Sequence, residues 1–547
     1  MRIQNISIIC LLLAGLWAEG QPLSQKKAFT RQDSLRGSIT PERAWWDVLR
    51  YNIEVTPDYN TRSISGKTEM VIDDKGGHTM QIDLQEPMIL DKVFFEGNAV
   101  QFKREGNVYW AYMRDSAASY RLKPGKKTVT MYFHGTPRAA QRPPWDGGWI
   151  WSKDEKGRPW MSVAVQGLGA SAWFPCKDHQ SDEPNEGASL TINVKDPLVA
   201  VANGKLKKKT KKNGMMSYTW EVKNPINNYN IIPYIGHYVN FTETFNGEKG
   251  KLNCSYWVLD YNLQKAKKQF KQVPMTLKAF EHWFGPFPWY EDDFKLVEAP
   301  HLGMEHQSAV AYGNKYQNGY LGNDLSGTGV GLKWDFIIVH EIGHEWFGNN
   351  ITTKDIADMW VHEGFTNYSE TLFTQYHFGK ADGDKYLQGL RGNIDNDIPI
   401  IGIYGVNQEG SGDMYAKGAN LIHTIRQVIN DDAKFRQILR GMNKDFWHQT
   451  VTSKQIEDYI SSKSGRDFST VFDQYLRTTQ IPVLNLETEK DELEYYWSNC
   501  VPGFNLPVKL SNGEWLYPTT SKQTIKGKNF EGVTVDKNFY ISVKLDD

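Results

Sequence analysis

Two histidines four residues apart, with a glutamate between them, form the arrangement in this 547-residue chain best suited to chemistry. The stretch reads Val339-His340-Glu341-Ile342-Gly343-His344-Glu345. On a helix, side chains four apart share a face, so His340 and His344 aim their imidazoles at one point. Two neutral imidazole nitrogens at that spacing chelate Zn²⁺. Glu341 lies one residue on, beside the metal but not positioned as a ligand, which suits a general base acting on a metal-bound water. A catalytic zinc takes three protein ligands and keeps one position open. The third ligand must therefore come from another element. Glu363 lies 19 residues after His344, within Trp360-Val361-His362-Glu363-Gly364-Phe365. That length allows a loop and a returning antiparallel helix, so Glu363 is the expected ligand; alone it would be a helix N-terminal charge. His362 is either a ligand in a two-metal site or a packing or loop residue, and packing or a loop role is the expectation. Glu370 is either a hydrogen-bond partner of a ligand histidine or a solvated helix charge.

These residues, and others around them, resemble the gluzincin aminopeptidases of peptidase family M1. Upstream, Leu302-Gly303-Met304-Glu305-His306 is similar to that family's Gly-x-Met-Glu-Asn exopeptidase motif. Downstream, Tyr415-Ala416-Lys417-Gly418 resembles its Tyr-x-Lys-Gly stretch. Gln166 and Phe174-Pro175-Cys176-Lys177-Asp178 resemble its pocket glutamine and Pro-Cys-x-Asp segment, and Tyr51 to Ile72 its first hairpin. The motifs stand in the family's order. The resemblance implies one Zn²⁺ per chain, held by His340, His344 and Glu363. It implies that Glu341 takes a proton from the zinc-bound water and later passes it to the leaving amine, and that Tyr415 donates to the oxyanion. Glu305 would bind the free α-amine of a peptide substrate, with Gln166, Gly303 and Met304 lining the same pocket. A carboxylate in a partly desolvated cleft can read a terminal cation at a fixed distance from the metal.

Two positions depart from the family pattern. Leu302 stands where the motif has glycine, and His306 where it has asparagine. Both bear on the first specificity pocket, and His306 either hydrogen-bonds a substrate carbonyl or packs. Three rival functions share the constellation. A leukotriene-hydrolase-like bifunctional enzyme would add epoxide opening, an inactive scaffold would keep zinc for stability, and an endopeptidase would cut inside chains. Glu341 argues against the scaffold and Glu305 against the endopeptidase.

The elements that must position these residues follow from hydrophobic periodicity. Tyr51, Ile53 and Val55 alternate, as do Thr68, Met70 and Ile72, and Asn203-Gly204 and Asn213-Gly214 mark turns. The spacing predicts an N-terminal antiparallel β domain over 21–242. From Phe270 the period becomes three to four, predicting a helix ended by Gly285-Pro286 and kinked or broken at Pro274. Helices are expected around 331–347, 363–377, 415–429, 433–443, 453–463 and 467–477. Gly348-Asn349 is the expected stop of the first, and Thr452 with Gln455 a capping box for the fifth. This gives a thermolysin-like mixed α/β zinc catalytic domain over 243–480. Alternation returns in a small β domain over 481–547. The fold class expected is thus multidomain α+β.

Composition narrows the function classes. Lys+Arg number 63 against Asp+Glu 64, which leaves no basic surplus for a nucleic-acid binder. Residues 1–20 read as a signal peptide, with Arg2 before an apolar stretch Ile6 to Trp17. We expect an exported chain, periplasmic or secreted, with no membrane span once the leader is cleaved. Cys176, Cys254 and Cys500 then remain, too few for a disulfide scaffold. The lysine-rich run Lys205 to Lys212 is expected to be a solvated hairpin. Trp145, Trp149, Trp151 and Trp160 either border the pocket as a rigid aromatic loop or pack. The oligomeric state has no signature in the sequence.

Overall fold

The computed structural model describes residues 28–114, 123–489, 491–527, 530 and 532–546. The expected leader lies outside them. None of the described helices is long and apolar enough to cross a membrane.

The alternating N-terminal segments form an eight-stranded sheet. Its centre pairs Trp46–Asp58 with Ser63–Asp74 antiparallel, and Tyr51, Ile53, Val55, Met70 and Ile72 all turn inward. One junction is not antiparallel: Trp46–Asp58 runs parallel to Ala188–Lys195. Hairpin signals report only neighbours in sequence, and this pair is joined across more than a hundred residues, so the parallel ladder left no local mark. Asn213 and Gly214, both with positive φ (50° and 76°), make the turn between Lys205–Lys212 and Met215–Val222. Lys205–Lys212 is the sheet's edge strand, almost wholly exposed, where lysines discourage pairing with another chain. Smaller sheets of four and three strands complete this unit.

The boundary expected at 242/243 falls inside a strand. Tyr238–Gly247 pairs along its whole length with Gly250–Leu259, and both belong to the five-stranded sheet of the catalytic unit. Strand alternation on either side of the junction looks the same, so period alone could not place it. The next strands of that sheet are Phe294–Glu298, Val310–Tyr312 and Gly303–Met304. Around it lie helices Gln272–Phe284, Phe336–Gly343, Trp360–Phe378, Ala416–Ile429, Asp432–Asp445, Ser453–Ser464 and Ser469–Arg477. Pro274 is the third residue of its helix, so the break precedes it: Leu263–Gln269 is a separate helix. The Thr452/Gln455 capping box is present in both directions. Lys380–Leu390 is an additional helix. Its 11 residues carry two glycines and few apolar side chains, which hid its period. The tail forms a four-stranded sheet with the order Gln523–Lys526, Glu492–Ser498, Val483–Glu489, Ser542–Asp546.

Candidate metal and peptidase site

The helix Phe336–Gly343 is anchored at its start by Asp335, whose side chain accepts from the Ile338 amide. The same carboxylate accepts from Tyr312 Oη at 2.8 Å, tying the helix to the sheet. The helix ends one turn earlier than the Gly348-Asn349 signal implies, with His344 as its C-terminal cap. His344 keeps helical dihedrals, so its side chain stays on the His340 face.

Glu363 enters from the first turn of the returning helix Trp360–Phe378. The three expected ligands converge. His340 Nε2 and His344 Nε2 are 3.2 Å apart, and Glu363 Oε2 lies 3.6 and 3.3 Å from them. Donors about 2.0–2.1 Å from a tetrahedral ion stand about 3.3 Å from one another, so this triangle has the right size for one. All three residues are buried, and Glu363 Oε2 has no hydrogen-bond donor. A buried carboxylate oxygen facing two imidazoles and lacking a donor fits a metal ligand.

The outer nitrogens of both histidines are held. His340 Nδ1 is 2.7 Å from Glu370 Oε1, which also accepts from Asn367 Nδ2 at 2.9 Å; Tyr386 Oη donates to Oε2 at 2.6 Å. His344 Nδ1 meets the Phe347 carbonyl at 3.0 Å and Thr366 Oγ1 at 3.1 Å. Donation from Nδ1 leaves the Nε2 lone pairs free for a cation. Burial alone would lower the His340 and His344 pKa values, but the facing carboxylates outweigh it and raise them. Burial pushes Glu363 up, and the imidazole charges bring it down below the usual carboxylate range.

Glu341 lines the cleft beside this triangle, and burial pushes its carboxyl up to about 7. Gly303 explains how it fits: a Cβ there would lie 2.5 Å from Glu341 Oε1. Gly303 and Met304 form the edge strand over the cleft. Glu305 follows, 2% exposed, its Oε1 accepting from Tyr229 Oη at 3.0 Å. Its main chain is pinned by Asn349 Nδ2 at 2.7 Å, and Asn349 in turn accepts from Asn230. Ligand-type atoms of Glu305, Glu341 and His344 lie within 4.8 Å of one another. Burial raises the Glu305 carboxyl. The cleft thus gathers three carboxyls, Glu305, Glu341 and Glu363, around two imidazoles, although the chain as a whole is nearly neutral.

Tyr415 precedes the helix Ala416–Ile429 and lies stacked near His340, ring centroids 6.1 Å apart. It is delivered by close packing: a Cβ on Gly418 would stand 3.0 Å from the Cα of Gly364, next to Glu363. Lys417 is buried and donates to the Thr478 carbonyl. Gln166 lines the cleft, with Met359 Sδ at 4.0 Å from its amide nitrogen.

Other singled-out residues have different places. His362 Nε2 accepts from the Thr353 amide at 2.9 Å and packs. His306 is buried with Nδ1 2.7 Å from Tyr234 Oη and is not among the cleft-lining residues, so it packs too. Leu302 does line the cleft. The three cysteines are free; Cys176 is buried and its thiol pushed well up by burial. Tyr229, Asn367, Tyr386 and Thr366 had no mark in the sequence: each serves the site through a contact visible only after folding. Phe336 stacks on His340 at 5.1 Å, and its four-residue spacing was a usable signal.

Residues 269–475 match the peptidase family M1 domain. The mitochondrial aminopeptidase 2 of Saccharomyces cerevisiae is 21% identical over 469 residues, covering 81% of this chain and 47% of the relative. Aminopeptidase B of Mus musculus is 24% identical, covering 66% and 57%. The chain thus spans about half the length of these relatives. An M1 zinc metallopeptidase from Deinococcus radiodurans shares the fold, with a TM-score of 0.68 at 19% identity, over 81% of this chain and 97% of that one. With the motifs in order and the ligand triangle formed, the segment 269–475 is similar to the peptidase family M1 domain, and the chain shares the fold of an M1 zinc metallopeptidase.

Proposed function

We propose that the protein is a zinc-dependent aminopeptidase that removes the N-terminal residue from peptides. The observation that carries this reading is Glu305: a buried carboxylate, fixed by Tyr229 and Asn349, beside Glu341 and His344. A substrate ammonium is the natural partner for such a carboxylate, and binding it sets the first peptide bond at the catalytic groups. An internal peptide bond brings no cation to Glu305, which disfavours an endopeptidase.

His340, His344 and Glu363 would hold the zinc, which when bound supplies Lewis-acid polarisation of the scissile carbonyl and a water of lowered pKa. Glu341 takes the proton from the attacking water and returns it to the leaving amine. Burial favours the protonated carboxyl, which suits a group that must hold the proton between the two halves of that transfer. Tyr415, whose phenol stays protonated because burial raises its pKa, donates to the developing oxyanion. Glu370 and Thr366 keep the two imidazoles oriented. Export after loss of residues 1–20 is part of the proposal, supported by the Arg2 and Ile6–Trp17 pattern.

The test uses amino-acid aminomethylcoumarins, free and N-acetylated, on the purified chain and on Glu341→Ala. Cleavage confined to free amines, with loss of turnover and retained zinc in Glu341→Ala, is the expected result. Equal cleavage of acetylated substrates would overturn the aminopeptidase reading, and full activity of Glu341→Ala the mechanism. A mature protein that still begins at Met1 would overturn export.

A further inference from the structure

We propose that Trp145 is a specificity-determining residue: its indole forms a wall against which the side chain of the substrate's N-terminal residue packs. The favoured substrates are then peptides that begin with a large apolar or aromatic residue. This rests on the aminopeptidase reading above and deepens it.

The four tryptophans of the 145–160 segment have different surroundings. Trp149 is 1% exposed, stacks on Trp151 at 5.1 Å and meets Trp173 edge-on at 5.9 Å. Trp160 Nε1 donates to Tyr238 Oη at 2.9 Å. Trp149 and Trp151 belong to the packing of the N-terminal unit, and Trp160 is tied to the strand Tyr238–Gly247. Trp145 is 36% exposed and, of the four, is the one that lines the catalytic cleft. A large ring left this open beside a catalytic cleft keeps apolar area available for a ligand.

The loop that carries it is built to hold it still. The Asp146 carboxylate accepts from the Gln141 and Arg142 amides at 2.7 and 2.8 Å. The Trp145 amide donates to the Arg142 carbonyl at 2.9 Å, and Gly147 to Pro144 at 3.2 Å. Gly147, at φ 68°, sits so close to Leu168 that a Cβ would stand 2.8 Å from the leucine Cβ. The loop is thus seated two residues from Gln166. A fixed indole binds at a lower ordering cost than a mobile one.

The rest of the cleft lining includes matching chemistry. Leu302 and Met304, which flank Gly303 just before Glu305, line the same cleft and are apolar. Once Glu305 holds the ammonium, the first side chain leaves the adjacent α-carbon and must lie against the walls of this cleft. An apolar side chain gains by burial there, whereas a charged one loses water without a partner. Leu302, in place of the family glycine, adds to the apolar wall.

The test compares the zinc-loaded wild type with Trp145→Ala and Trp145→Phe on Phe-, Leu-, Ala- and Lys-aminomethylcoumarin, with N-acetyl-Phe as control. The wild type should favour Phe and Leu over Ala by tenfold or more in kcat/KM, about the discrimination apolar contacts provide. Trp145→Ala should lose about 5- to 20-fold on Phe and Leu, chiefly through KM, and about twofold on Ala; Trp145→Phe should retain most of the preference. Equal losses on all four substrates, or an unchanged Phe/Ala ratio with free-amine dependence intact, would overturn the assignment alone. Cleavage of N-acetyl-Phe by the wild type as fast as the free substrate would overturn the aminopeptidase reading and the assignment with it.

Discussion

At the scale of single residues, the site is a set of buried groups whose charges make sense only together. Glu370 shows this best. It is fully buried and receives hydrogen bonds from His340, Asn367 and Tyr386, so it orients the imidazole of a proposed metal ligand from the side away from the ligand triangle. Glu370→Ala would leave the His340 Nδ1–H without an acceptor and free to turn. We expect zinc affinity to fall about 10- to 100-fold, read by competition with a chromogenic chelator, with Glu370→Gln closer to wild type. Unchanged affinity in the alanine variant would remove Glu370 from the site. The ligands themselves were legible because their spacing is local: His340 and His344 need only a helix. Glu370's alternative, a solvated charge, could not be discarded from sequence, because Tyr386 and Asn367 become its neighbours only when helices pack. Tyr229 was illegible for the same reason.

At the scale of elements, the motif glycines are contact points between helices. Gly364 follows Glu363, and Gly418 lies three residues after Tyr415; each would meet the other's Cα if it carried a Cβ. This crossing sets how far the phenol stands from the ligand triangle. Gly418→Val should force the helices apart and cost about 1–3 kcal/mol, measured by denaturant unfolding of the zinc-loaded protein. It should also lower kcat more than it raises KM, because a displacement near 1 Å in a positioned group can cost up to about a hundredfold. Wild-type kcat in a destabilised Gly418→Val would show that the crossing is structural only. Helix positions were largely readable from apolar periodicity, and the capping box at Thr452 marked one start to the residue. The end of the His340 helix was not, since glycine after a helix signals a stop only within a few residues. Period could not show that residues 242 and 243 lie within one strand, because strand follows strand there.

At the scale of the whole molecule, the two units meet around polar contacts such as Asn230 with Asn349, and the N-terminal unit carries buried ionisable groups of its own. Asp182 is 4% exposed, accepts from Tyr51 Oη at 2.9 Å and lies far from the metal ligands in sequence. Burial, partly offset by Lys177, pushes its carboxyl from 3.8 up to about 7. Between those values the native protein keeps a proton that the unfolded chain releases. Its contribution to stability is therefore fully present below about pH 4 and is lost as pH rises toward 7. Asp182→Asn mimics the protonated form at every pH and cannot lose it. The stability of the variant relative to wild type should therefore improve by a few kcal/mol between pH 4.5 and pH 7.5, because a tenfold change in proton affinity on folding corresponds to about 1.4 kcal/mol. Denaturant melts of both proteins at the two pH values, zinc saturating throughout, read this difference directly. Taking the difference cancels the many other groups that titrate in the same window. A constant gap between the two proteins would mean that Asp182 stays ionised in the native state, with Lys177 and Tyr51 compensating its burial. A gap moving the other way would show that attraction to the Lys177 ammonium outweighs desolvation.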